Sequence, residues 1–192
     1  MRIRYNAPVT LTFTFFSALV LGLSLTVFPS LTPQWFSTPV PFRPNVVGDY
    51  VKLFTHVLGH VSVQHYMNNF TMILLLGPIL ETIYGSEFLL VSILITALST
   101  GLLNVLLFPS TVLLGASGVV FMMIVLASIT NFDKGEIPLT FILVMVIYVG
   151  GQVWDAVSKQ DNISQLSHIM GGLVGSCMGF FKPRSGRAVS RR

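Results

Sequence analysis

The sequence predicts an all-α polytopic membrane protein, a bundle of six transmembrane helices. Three observations predict it. Of 192 residues, 53% are hydrophobic and only 9% charged, with mean hydropathy +0.78; a soluble domain carries roughly 25% charge. Apolar runs of about 20 residues recur, and each is long enough to cross roughly 30 Å of hydrocarbon as a helix. The runs are continuous and not alternating, which favours helices over a barrel.

Span 1 is expected over about Pro8 to Phe28, after Arg2 and Arg4. No A-x-A-like cleavage site follows it, so it reads as an uncleaved first helix. Residues 1–7 form a short cytoplasmic N-terminus, with no further domain expected ahead of the span. In the loop Pro29 to Thr55, Pro29, Pro33, Pro39, Pro41 and Pro44 forbid a long helix. Trp35, Phe36, Phe42 and Tyr50 suit it to the lipid–water boundary.

Span 2 is expected over about His56 to Leu80, with an unusual polar load: His56, His60, His65, Asn68 and Asn69. Spans 3 and 4 come from the uncharged run Phe88 to Phe132, broken at Phe108 to Thr111. Span 3 is placed at about Phe88 to Leu107, and span 4 starts near Gly115. Span 5 covers about Ile137 to Trp154, a polar loop Asp155 to Ser164, and span 6 about Gln165 to Phe181. The membrane domain is thus 8–181, and 182–192 is a basic tail.

The net charge is +4, but its distribution excludes a nucleic-acid surface. Basic residues crowd the two ends, as membrane-flanking charges do. With both termini cytoplasmic, Arg2, Arg4, Lys134, Lys182, Arg184, Arg187, Arg191 and Arg192 face inward. Arg43, Lys52 and Lys159 face outward, and this asymmetry selects the orientation. The single cysteine, Cys177, forms no intrachain disulfide and reads as a small buried hydrophobe. No Cys/His metal framework is present, and no cofactor is expected.

The candidate chemistry is at Gly115-Ala116-Ser117-Gly118, a serine between glycines in a segment suited only to lipid or a buried core. Alone, the tetrapeptide reads first as a helix-packing patch. Depth changes the odds. At about 1.5 Å per residue, Ser117 lies about 22 Å, His168 about 21 Å, His65 about 24 Å and Asn69 about 18 Å above the inner face. Four polar groups at one level on three helices form a constellation, because such groups are costly in lipid and usually serve function. No carboxylate reaches that level, so the implied apparatus is a Ser–His dyad, with neutral His168 as base. Gly171, Gly175 and Gly179 share a face with His168, a small-xxx-small seam that brings span 6 against span 4. His65 and Asn69 share a face and offer hydrogen bonds to an oxyanion, with the Ser117 N–H. His56 and His60 lack the glutamate of H-E-x-x-H, which argues against a zinc protease. His60, about 7 Å nearer the surface than His65 on the expected helix, reads as a structural hydrogen-bonder pinning the first loop.

These residues carry a resemblance. His60-x4-His65-x3-Asn69, Gly115-Ala116-Ser117-Gly118 and His168-x2-Gly171-x3-Gly175 resemble, in order and on the expected spans, the motifs of the rhomboid intramembrane serine proteases, in their short six-span bacterial form. The resemblance implies Ser117 as nucleophile, His168 as general base, and His65 and Asn69 with Ser117 as oxyanion hole. It also implies substrates that are single-pass transmembrane proteins, cut at a small residue in a readily unwound segment. The loop Asp155 to Ser164 would cap the site, and span 5 would border the lateral opening. A bacterial inner-membrane location is expected, with membrane lipid as surroundings. Two departures stand out: Val51-Lys52 where members often carry Trp-Arg, and Phe121 where a tyrosine is common. A transporter would be expected to show inverted repeats and paired broken helices, and none is evident. A catalytically dead relative would be expected to lack Ser117 or His168. The oligomeric state is not legible.

Overall fold

The computed structural model describes residues 3–129 and 162–181, with isolated positions 139, 142–143 and 146–147. Every regular element among them is helical. In chain order these are α1 (Pro8–Thr26), α2 (Leu31–Trp35), α3 (Val47–Thr55), a 3₁₀ turn (His56–Leu58), α4 (Val63–Tyr84), α5 (Ser86–Leu107), α6 (Ser117–Ile129) and α7 (Asn162–Phe181). Two of them, α1 and α5, are long and apolar enough to cross a membrane, with mean hydropathies of 1.8 and 2.2. Helix α4 has the length, 22 residues or about 33 Å, but carries the polar load read from sequence. Span 5 falls almost wholly outside the described residues, as do the loop over 155–161 and the basic tail.

Helices α1 and α4 pack antiparallel. At one end Glu81 of α4 accepts the backbone N–H of Val9 at 2.9 Å and of Thr10 at 3.1 Å, and the Thr10 hydroxyl at 2.9 Å. The first N–H groups of a helix have no intrahelical partner; a carboxylate from 71 residues away satisfies them here and complements the positive end of the helix dipole. Ser86, opening α5, donates its hydroxyl to the same carboxylate at 2.7 Å. Further along, Phe13 meets Phe70 with ring centroids 5.2 Å apart, Tyr66 donates its hydroxyl to the Thr14 carbonyl, and Ser17 reaches the Leu58 carbonyl. Gly85 at φ +89° turns the chain straight from α4 into α5, a backbone conformation that favours glycine.

Three expected boundaries are corrected. Span 2 was placed from His56, but α4 begins at Val63. Ser62 is its cap: extended at φ −156°, it accepts the His65 N–H on its hydroxyl at 3.1 Å. Ahead of it, Gly59 lies under the Phe36 carbonyl, where any Cβ would overlap that oxygen. The first loop therefore presses on the chain at Gly59, and His56 and His60 sit in a turn and not on one helical face. Consequently His60 is no full turn above His65; their rings lie 4.9 Å apart. Span 4 starts at Ser117, two residues after the expected Gly115. Span 6 starts at Asn162, so the last three residues of the expected loop are helical.

The proline-rich loop forms only α2, of five residues, and α3, of nine. Helix α3 is amphipathic: Leu53 and Asp49 are buried, while Val47, Tyr50, Val51 and Phe54 are exposed. Its buried Asp49 accepts the Arg43 backbone N–H and holds the Arg43 guanidinium through both oxygens, each bond 3.0 Å. One charged residue is thereby satisfied on the inward side of a surface helix. Cys177 is exposed, which corrects its reading as buried. It lies about 160° around α7 from Gly175, on the side away from the helix partner.

Candidate active site

The segment that delivers Ser117 is held on both sides by the first loop. Thr38 donates its N–H to the Leu113 carbonyl at 2.9 Å, and Leu113 returns its N–H to the Thr38 hydroxyl at 2.8 Å. That hydroxyl in turn donates to Asn104 Oδ1 at 2.7 Å, at the end of α5. Gly115 donates its N–H to the His56 carbonyl at 3.0 Å. His56 is itself fixed by its Nε2–H to the Ala97 carbonyl at 3.0 Å. Gly115 then takes φ +115°, and the chain enters α6 at Ser117. Being first in the helix, the Ser117 N–H has no intrahelical partner; just ahead of it, the Ala116 carbonyl accepts the Val120 N–H at 3.0 Å. Ser117 is half-buried, between buried Ala116 and Gly118.

Helix α4 supplies the next wall. A Cβ at Gly115 would stand 2.8 Å from His65 Cε1 and Nε2 and 3.8 Å from Asn69 Nδ2. His65 and Asn69 therefore flank the backbone just before Ser117, as their shared face required. Asn69 is buried, and its amide donates to His60 Nε2 at 3.2 Å. On its other side His60 Nδ1 lies 3.3 Å from the Leu58 carbonyl. A carbonyl only accepts, so Nδ1 carries the proton and Nε2 receives from Asn69. One N–H of the Asn69 amide is used this way, and the same nitrogen lies 3.8 Å from a Cβ built at Gly115. Tyr66 and Phe70 pack edge-on around His60, each centroid 5.6 Å away.

Helix α7 closes the group. A Cβ at Gly171 would overlap the Gly118 carbonyl, and one at Gly175 would stand 2.5 Å from the Met122 carbonyl. Gly118 and Met122 are one turn apart, as are Gly171 and Gly175. The two helices therefore run parallel, in register, backbone against backbone along the glycine seam read from the sequence. The Ser167 carbonyl lies 3.2 Å from a Cβ built at Gly118, so Gly118 packs against the turn of α7 between Ser167 and Gly171, the turn that carries His168. His168 is buried and lies flat on Phe121, centroids 4.3 Å apart and planes within 12°. Phe121 is four residues beyond Ser117, on the same face of α6. The imidazole thus lies on the face of α6 that carries the serine, about one turn along.

Of the residues that sequence reasoning brought to one place, the structure sets His65 and Asn69 against Gly115, and Gly171 and Gly175 against Gly118 and Met122, and it lays His168 on Phe121, one turn from Ser117. Sequence reasoning missed Thr38, His56 and Asn104 as the residues that hold the Ser117 loop. The proline-rich composition marked that loop as irregular but gave no partner for it. Behind His60 a cavity of about 410 Å³ opens between the first loop and this segment, lined among others by Ser37, Thr38, Lys52 and Leu114. Among the described residues no group of His, Cys, Asp and Glu is placed to hold a metal ion.

Comparison with known proteins identifies the family. The Rhomboid domain family matches residues 47–185, which include every residue of the cluster. The chain is also similar to Rhomboid-related protein 1 of Caenorhabditis elegans, 28% identical over 149 residues. That match covers 72% of this chain but 42% of the relative, so the chain spans about two fifths of the relative's length. With most of its length, from α3 through α7, matched by the family, this chain is a member of the rhomboid family.

Proposed function

We propose that this protein is an intramembrane serine endopeptidase that cleaves transmembrane segments of single-pass membrane proteins, with a Ser117–His168 dyad. The observation that carries the reading is the stack of His168 on Phe121. Together with the Gly118–Gly171 contact, it fixes the imidazole on the helix face that bears Ser117.

In this reading His168 accepts the Ser117 proton as Oγ attacks the scissile carbonyl. The oxygen of the tetrahedral intermediate takes hydrogen bonds from the Ser117 N–H, the free N–H of the Asn69 amide and His65. His168 then protonates the leaving amine, and water, activated by the same imidazole, releases the acyl group. His60 acts one step back, holding the Asn69 amide. Water must reach the serine from the outer face, because lipid supplies none. The chain crosses the membrane six times, with both termini cytoplasmic, in a bacterial inner membrane. It needs no cofactor.

The test is direct. Purified protein is incubated with a fluorogenic transmembrane peptide, in parallel with Ser117→Ala. Cleavage by the first and none by the second is expected; equal turnover by both would refute the assignment.

A further inference from the structure

Beside the His65–Asn69 face, α4 carries a second polar feature that the proposed dyad does not use. Gln64 donates its side-chain amide to Asn68 Oδ1 at 2.7 Å, and both residues are exposed. Thr71 is exposed one turn further on, and Leu75, 61% exposed, continues the same flank. At 100° per residue these four fall within about 60° of one another, and about 110° around the helix from His65 and Asn69. Asn68 is level with Asn69 and lies about 9 Å from the capping Ser62 along the axis. The Asn68 NH₂ group and the Gln64 Oε1 have no hydrogen-bond partner among the described residues.

A neutral amide pair turned outward at the depth of the active site is costly in lipid unless something meets it. A transmembrane substrate arrives with every backbone N–H and C=O bonded within its own helix. To present a peptide bond to Ser117 it must open part of that helix, freeing donors and acceptors where no water solvates them. A carboxamide offers both a donor and an acceptor, in the geometry of a peptide group. We infer that Gln64 and Asn68 form a hydrogen-bonding rail that holds the opened backbone of a transmembrane substrate beside the active site. This inference rests on the protease reading above. Because the rail reads backbone, it acts on transmembrane substrates as a class and not on one side-chain sequence. Asn68 is a positioning residue; it takes no part in the chemistry.

The test compares wild type, Gln64→Leu, Asn68→Leu, the double variant and Asn68→Gln in the full chain, reconstituted in phosphatidylcholine vesicles. Three readouts are followed: kcat/KM on a single-pass transmembrane peptide, kcat/KM on a soluble extended peptide with the same scissile sequence, and the rate of Ser117 labelling by a fluorophosphonate. The double Leu variant is expected to lose about tenfold on the transmembrane peptide, the worth of one or two hydrogen bonds. The soluble peptide and the labelling rate should stay within about twofold, and Asn68→Gln should restore most of the loss. Wild-type or faster cleavage of the transmembrane peptide by the double variant would overturn the rail while leaving the protease reading intact. An equal fall in all three readouts would also overturn it, in favour of a structural role. If wild type cleaves neither peptide, the protease reading fails and the rail with it.

Discussion

The imidazole of His168 lies flat on the phenyl ring of Phe121, with centroids 4.3 Å apart. Where the family resemblance would lead one to expect a tyrosine, this chain offers a ring without a hydroxyl, and the stack helps to orient the proposed base. Such a pair is worth about 0.5–1.5 kcal/mol. Phe121→Ala should therefore lower kcat by roughly 3–10-fold with little change in KM. Phe121→Tyr, which keeps the ring, should stay within about twofold. Steady-state kinetics on a transmembrane peptide check this, and an Ala variant as active as wild type would remove the stack from the account.

The glycine seam gives a paired prediction. A Cβ at Gly171 meets the Gly118 carbonyl, which cannot move without moving α6. At Gly172, one residue on, a Cβ would stand an ordinary 3.7 Å from Val125 Cγ2. Gly171→Ala should cost about 1–3 kcal/mol or more by overpacking and spread the two helices that carry Ser117 and His168. Gly172→Ala should be neutral or stabilising by up to about 1 kcal/mol, through helix propensity. Thermal unfolding in micelles measures both, and equal effects would contradict the backbone-to-backbone packing.

The seam was legible because glycines four residues apart on one helix have a single geometric reading. The serine loop and the His65–Asn69 face were legible for a similar reason: local spacing places them. What sequence could not reveal were contacts made at long range. Glu81 looks like a charge at the end of a span, yet it caps α1 from 71 residues away. The start of α4 was misplaced because the turn at Gly59 is set by the Phe36 carbonyl, and nothing near Gly59 announces that partner. His56 drew attention as half of an H-x-x-x-H pair, when its carbonyl and ring together hold Gly115 and Ala97.

The first loop should show an acid-sensitive contribution to stability. The hydrogen-bonded Arg43 guanidinium holds the buried Asp49 carboxyl below its usual range, against burial, which acts the other way. A carboxyl lowered in the folded state stabilises fully above its unfolded value, about 3.9, and that stabilisation is lost as pH falls through the folded value. The Tm advantage of wild type over Asp49→Asn should be constant from about pH 8 to 5 and decline progressively as pH falls below about 4. An advantage that persists unchanged at pH 3 would rule out the ion pair as its source.

The two α4 donors should behave as one oxyanion-binding unit. Removing a single donor of this kind costs about 10²–10³ in rate in a well-studied protease. Asn69→Ala should cost less than that, because His65 and the Ser117 N–H remain, and the double variant His65→Ala/Asn69→Ala should cost more than either alone. The measurement is kcat on a transmembrane peptide. A double variant at wild-type rate would remove both residues from the oxyanion hole.

The dyad itself is tested most directly by active-site labelling. Treatment with a fluorophosphonate should modify Ser117 in wild type, and mass spectrometry should find the adduct on that residue. His168→Ala should abolish the labelling, since among the described residues no other base lies on that face of α6, and Asp49→Asn should leave it unchanged. Cleavage should be lost equally in Ser117→Ala, His168→Ala and the double variant, because groups acting as a unit are not additive. Full labelling of Ser117 in the His168→Ala protein would contradict the account, leaving an accessible serine without its base.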